Sequence, residues 1–147
     1  MKKLFDYLVV IFLVLIMILA ASCTPQDEEM LSLPLPNLEL DGRLSLDNNG
    51  YYHLTLNENT NQTIHTIGGN VINHEYYEPI KVKWSSNLYW EYNGEYVPTI
   101  NSSSYVQENG NINTVIAPIF SMKNDTLNIQ ARLLEWNIIQ TINIVLE

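Results

Sequence analysis

Three groups of residues in this chain carry side chains able to do chemistry. His53 and His65 flank the turn-rich run Asn57 to Asn61. If that run closes a five-residue hairpin, Leu56 pairs with Gln62, Thr55 lies opposite Thr63 and His53 lies opposite His65. Two cross-strand imidazoles at that separation could share a metal ion. Metal sites normally use three or four ligands, and the next donors, His74 and Glu75, lie further along the chain, so the pair also reads as two surface histidines on a β-ladder. Tyr89, Glu91 and Tyr96 form the second group. Asn93-Gly94 is the signature of a two-residue hairpin, which pairs Tyr92 with Glu95, Glu91 with Tyr96 and Trp90 with Val97. Leu88, Trp90 and Val97 then face the core, while Tyr89, Glu91 and Tyr96 share the outer face. An aromatic surface beside a carboxylate suits a sugar, since the ring covers the apolar face of a pyranose and the acid accepts its hydroxyl hydrogens. Strands favour aromatics in any case, so the same tyrosines fit a plain solvent-facing strand. The third group is a single thiol, Cys23. With no second cysteine, an internal disulfide is excluded, and the position of Cys23 beside an apolar segment argues against a zinc cluster or a cysteine nucleophile.

Catalytic patterns are missing from the rest of the sequence. Ser and His occur without a Gly-x-Ser-x-Gly elbow, and Gly68-Gly69 is not followed by a phosphate-loop pattern and reads instead as a bulge or bend. The adjacent carboxylates Glu28 and Glu29 sit in a solvated segment away from any cleft. The chain therefore reads as non-enzymatic, with no cofactor, and a small hydrolase ranks last among its readings. Its formal net charge is −9, and removing residues 1–22 with Lys2, Lys3 and Asp6 takes it to −10. Such a surface repels phosphate backbones, which disfavours nucleic acid as a partner.

The elements that position these groups begin with a leader. Lys2 and Lys3 precede an unbroken apolar run from Leu8 to Leu19, and Ala20-Ala21-Ser22 brings small residues up against Cys23. That is the order of an export signal, and the run is shorter than the ~20 residues of a spanning helix, which leaves a retained anchor as the alternative. The Ala-Ser-Cys ending resembles the lipobox of bacterial lipoproteins, with Leu19 four places before the cysteine where Leu commonly stands three before. The resemblance implies that residues 1–22 are a signal peptide, forming a helix, and that Cys23 is lipidated. The lipid would hold the chain on a membrane without a spanning segment. Residues 23–37 read as the lipidated cysteine and an extended linker, kept from helix by Pro25, Pro34 and Pro36. The acidic run Asp27-Glu28-Glu29 resembles the surface-export signal of Bacteroidota lipoproteins, and it equally fits a solvated linker.

Residues 38–147 alternate with period two between turn signals, which predicts an all-β domain. Ile80, Val82 and Trp84 alternate with Lys81, Lys83 and Ser85; Leu127, Ile129, Ala131 and Leu133 alternate with Thr126, Asn128, Gln130 and Arg132. The last run, Ile138 to Leu146, is apolar at more positions and suits a central strand. Turns are expected at 47–50, 57–61, 93–94, 109–110 and 123–125, where Asn, Asp and Gly tolerate positive φ. Their spacing predicts an antiparallel β-sandwich of seven to nine strands. From Gly69 onward the chain resembles an immunoglobulin-like module, with a Trp-bearing strand (Val82-Lys83-Trp84), a penultimate strand entered at Asp125-Thr126-Leu127 and a closing strand. The immunoglobulin cysteines are absent. Asp125-Thr126-Leu127 also resembles the O-glycosylation acceptor of Bacteroidota, which would make Thr126 the modified residue.

As a whole the chain is similar to small surface lipoproteins of Bacteroidota. That likeness implies an outer-membrane, surface-exposed protein held by an N-terminal lipid, with a glycan or an envelope protein as partner. An accessory subunit of an envelope complex is the second reading.

Overall fold

The alternating runs become strands in a computed structural model that describes residues 34–73 and 79–147. In chain order the strands are β1 (Asn37–Asp41), β2 (Ser45–Leu46), β3 (Tyr51–Leu54), β4 (His65–Ile72), β5 (Lys81–Ser86), β6 (Tyr89–Tyr92), β7 (Glu95–Pro98), β8 (Ser103–Tyr105), β9 (Asn111–Ile116), β10 (Thr126–Leu133) and β11 (Ile138–Leu146). A 3-10 turn spans Phe120–Met122. The eleven strands among the described residues exceed the seven to nine expected, because β2 and β8 are only two and three residues long and too short to show alternation.

Two sheets build the domain. One has three strands in the order β1-β4-β9, and the other has six in the order β2-β3-β11-β10-β5-β8. The inward side chains of both belong to one core: Leu38, Ile67, Val71, Ile112 and Ile116 from the first meet Val82, Trp84, Leu127, Ile129, Ile144 and Leu146 from the second. This is a β-sandwich, in which each strand gives alternate residues to the shared interior. Trp84 is its largest fully buried side chain, and the indole N–H is satisfied by donating to Ser104 Oγ at 2.8 Å. In β10, Leu127, Ile129, Ala131 and Leu133 are all buried, as the alternation requires. As expected, β11 is internal, bonded to β10 on one side and β3 on the other.

Two local expectations are corrected. The sandwich is not purely antiparallel, because β3 runs parallel to β11, pairing Asn143 with Tyr51 and Leu146 with Leu54. Gly68 and Gly69 form no bulge: they sit in the regular ladder of β4, opposite Asp41 and Leu40 of β1 and Asn113 and Ile112 of β9. Their smallness lets β1 approach closely, for a Cβ at Gly69 would lie 2.3 Å from the Glu39 carbonyl oxygen.

Candidate functional site

The β6–β7 hairpin forms as its residues dictate. Asn93 (φ 52°) and Gly94 (φ 82°) both take the left-handed conformation of the tight turn, and Tyr92 pairs with Glu95, Glu91 with Tyr96 and Trp90 with Val97. The two strands make a separate small sheet, joined to the sandwich at its base. There the hydroxyls of Ser86 and Thr99 are buried, lie 3.0 Å apart and both reach the Leu88 carbonyl, which also accepts the Thr99 N–H. Tyr89, Glu91 and Tyr96 are exposed together on the outer face.

The opposite face holds what the sequence reading missed. Trp90 and Tyr92 turn toward a surface cleft of about 530 Å³, whose apolar wall is completed by Ile119 and Phe120. Its polar side carries Glu58, Asn61 and Gln62 from the 57–62 loop, with Ser121 beside Phe120. Three segments converge here through hydrogen bonds from one connecting stretch. Ala117 N–H donates to the Thr99 carbonyl at the hairpin base (2.7 Å), and the Pro118 carbonyl accepts the Thr63 N–H at the end of the loop (2.9 Å). The loop is braced internally as well: Asn57 Oδ1 accepts the Asn59 N–H (2.9 Å), Thr63 Oγ1 accepts the Asn57 N–H (2.8 Å), and Thr60 Oγ1 donates to the Gln62 carbonyl (2.9 Å). Buried Met122 anchors the 3-10 turn that presents Phe120. Alternation alone puts Tyr92 opposite Tyr89, so the second aromatic face was available from the sequence; the loop and turn that wall it were not.

His53 and His65 do not face each other. The 57–61 run carries the chain from one sheet to the other, so β3 and β4 never pair. Both edges of β3 are already taken, by β2 and by β11, and Leu56 N–H continues the contact by donating to the Glu147 carbonyl at 2.7 Å. His65 lies in β4, where its Nε2 donates to the Gly42 carbonyl at 2.8 Å. His53 instead sits between two carboxylates, with Nε2 3.4 Å from Asp47 Oδ2 and Nδ1 bonded to Glu147 Oε1. Glu147 first and Asp47 second raise the His53 pKa above its ordinary value. With both ring nitrogens engaged, His53 has none left to activate a hydroxyl nucleophile. Among the described residues no group of three or more His, Cys, Asp or Glu is arranged to hold a metal ion. His74 and Glu75 lie outside the described residues, as do Cys23 and the leader.

Thr126 opens β10 and is half-buried, its carbonyl accepting the Asn87 Nδ2–H at 3.0 Å, while Leu127 points into the core. Fold and geometry together define an all-β sandwich with an aromatic cleft on its surface. Compared with protein-family models, curated proteins and solved structures, the chain finds no match in any of the three.

Proposed function

We propose that this chain is a lipid-anchored envelope protein whose β-sandwich serves as a non-enzymatic surface binding module, with a glycan or a protein as ligand. The observation that carries the reading is the β6–β7 hairpin. It stands apart from both large sheets and turns Tyr89, Glu91 and Tyr96 to solvent, with Tyr96 78% exposed. Exposed aromatics cost solvation that a fold does not need, and such residues are enriched where proteins bind. The anchoring half of the proposal rests on the leader and on Cys23.

Metabolic labelling with a palmitate analogue tests the anchor, since wild type should be labelled and Cys23→Ser should not. Equal labelling of the two would remove the lipid from Cys23. Binding of the full chain to an array of glycans tests the module. The second reading, an accessory subunit of an envelope complex, is favoured by edge strand β8, where Tyr105 is exposed at the border of the six-stranded sheet. Co-purification of a stoichiometric partner from native membranes would support it over the first. Thr126 is proposed as an O-glycan acceptor, and an added hexose-type mass that disappears in Thr126→Ala is the expected intact-mass result.

A further inference from the structure

We propose that the cleft between the 57–62 loop, the β6–β7 hairpin and the 3-10 turn is a binding site for a neutral oligosaccharide, with Trp90, Tyr92 and Phe120 as its stacking surface. The inference rests on the reading of the domain as a binding module and names its site and its ligand class.

Its size lies in the usual range of small-ligand sites, about 300–1,000 Å³. The chemistry of the lining then selects among ligands. Among the described residues Glu58 is the one ionisable side chain of its polar rim, beside the amides of Asn61 and Gln62. No cation among the described residues lines the cleft; Lys123 is nearby, its Nζ 5.7 Å from the centre of the Phe120 ring. An anion entering here would meet the Glu58 carboxylate, with Lys123 outside the lining, so phosphates and uronates are disfavoured. Carboxylate and amide groups together both accept and donate, which suits a ligand rich in hydroxyls. The aromatic wall excludes a second class. Trp90 and Tyr92 have centroids 5.7 Å apart but are inclined at 58°. A flat heteroaromatic ligand is best held by parallel rings, whereas two tilted rings offer apolar surface to a puckered ligand with C–H groups on more than one side. A pyranose has that shape and also the hydroxyls that the rim requires. The site is pre-formed, because its three walls are tied through Ala117 and Pro118. Little ordering cost is therefore left to the ligand.

The test uses the full chain in an amine-oxide detergent, which has no sugar headgroup, with saturation-transfer NMR as the readout. The probes are neutral gluco-, manno- and galacto-oligosaccharides, with oligogalacturonate as the anionic counterpart. At least one neutral series should bind, at least tenfold more tightly than the uronate. Tyr92→Ala and Phe120→Ala should weaken it about tenfold, and Ile139→Ala, at an exposed position of β11 outside the cleft lining, should stay within twofold of wild type. Glu58→Gln should narrow the gap between neutral and anionic probes. Tyr92 is 60% exposed, so its truncation should leave the urea midpoint unchanged and separate lost binding from lost folding. If Tyr89→Ala or Tyr96→Ala abolishes binding while Tyr92→Ala does not, the module reading survives and the cleft is overturned as its site. Binding of none of the neutral probes overturns the cleft proposal outright, while the lipid anchor stands or falls on Cys23 labelling alone.

Discussion

At the scale of single residues, His53 is the side chain whose state most depends on its surroundings. A carboxylate only accepts hydrogen bonds, so facing Asp47 on one ring nitrogen and Glu147 on the other is satisfied only when both nitrogens carry protons. The imidazolium is thus the form that the fold favours, and the His53 pKa rises from its ordinary 6.5. Asp47 moves the other way, below its ordinary 3.8, chiefly because it accepts the Tyr51 N–H, with His53 and the Asn49 N–H adding to the effect. The signs define a window. The His53 contribution is fully present below pH 6.5 and is lost as pH rises through the raised folded value. The Asp47 contribution is present above pH 3.8 and is lost as pH falls through its lowered value. The difference in urea midpoint between wild type and His53→Gln should therefore be largest between those two values and shrink as the solution turns alkaline. A difference that does not vary with pH would show that the carboxylates do not hold the charged ring.

At the scale of elements, β4 shows how backbone spacing can decide a residue. It is the middle strand of the three-stranded sheet, with β1 on one side and β9 on the other. A methyl group at Gly69 would meet the Glu39 carbonyl oxygen at 2.3 Å, and a backbone atom cannot yield without moving β1. At Gly68 the obstacle is the exposed Arg43 guanidinium, 2.5 Å away, at the end of a side chain that can swing aside. Gly69→Ala should cost about 1–3 kcal/mol, in the range of overpacked interiors, and Gly68→Ala distinctly less. Equal urea midpoints for the two variants would refute this account of the strand spacing. The same strand marks the limit of what could be read in advance. The hairpin at Asn93-Gly94 and the faces of β5 and β10 were legible, because turn chemistry and alternation act over a few neighbouring residues. The partner of β3 was not. Leu54 and Leu56 point into the core whether the chain turns back at 57–61 or crosses to the other sheet, so alternation cannot separate the two paths. What separates them is β11, more than eighty residues later, which occupies the edge of β3 that a hairpin would need. The cleft was hidden for the same reason, since its loop and its 3-10 turn meet the hairpin only after that crossing.

At the scale of the whole molecule, one core and one late strand bind the parts into a single cooperative unit. The buried residues of both sheets form one cluster, so neither sheet can open without exposing the inner face of the other. Within that cluster β11 has a particular place. It pairs with β10 along eight positions, and it pairs with β3 more than eighty residues earlier in the chain, so the six-stranded sheet is joined only once residues 51–54 and 143–146 have met. Such a non-local closure is slow to form, and its stabilisation arrives all at once. Leu146, fully buried where β11 meets β3, is the side chain at which to test this. Leu146→Ala should destabilise the domain by about 2–5 kcal/mol, the range for a truncated core leucine. Trp84 lies on β5, across β10 from β11, and reports from the interior; with Trp90 and Trp136 changed to Phe, it would be the only fluorophore of its kind. In that background the urea transition followed by Trp84 fluorescence and the one followed by far-ultraviolet circular dichroism should coincide, and Leu146→Ala should shift both by the same amount. If the mutation moved the dichroism midpoint and left Trp84 at its original value, the two ends of the sheet would be unfolding separately, and the closure through β11 would not govern the fold.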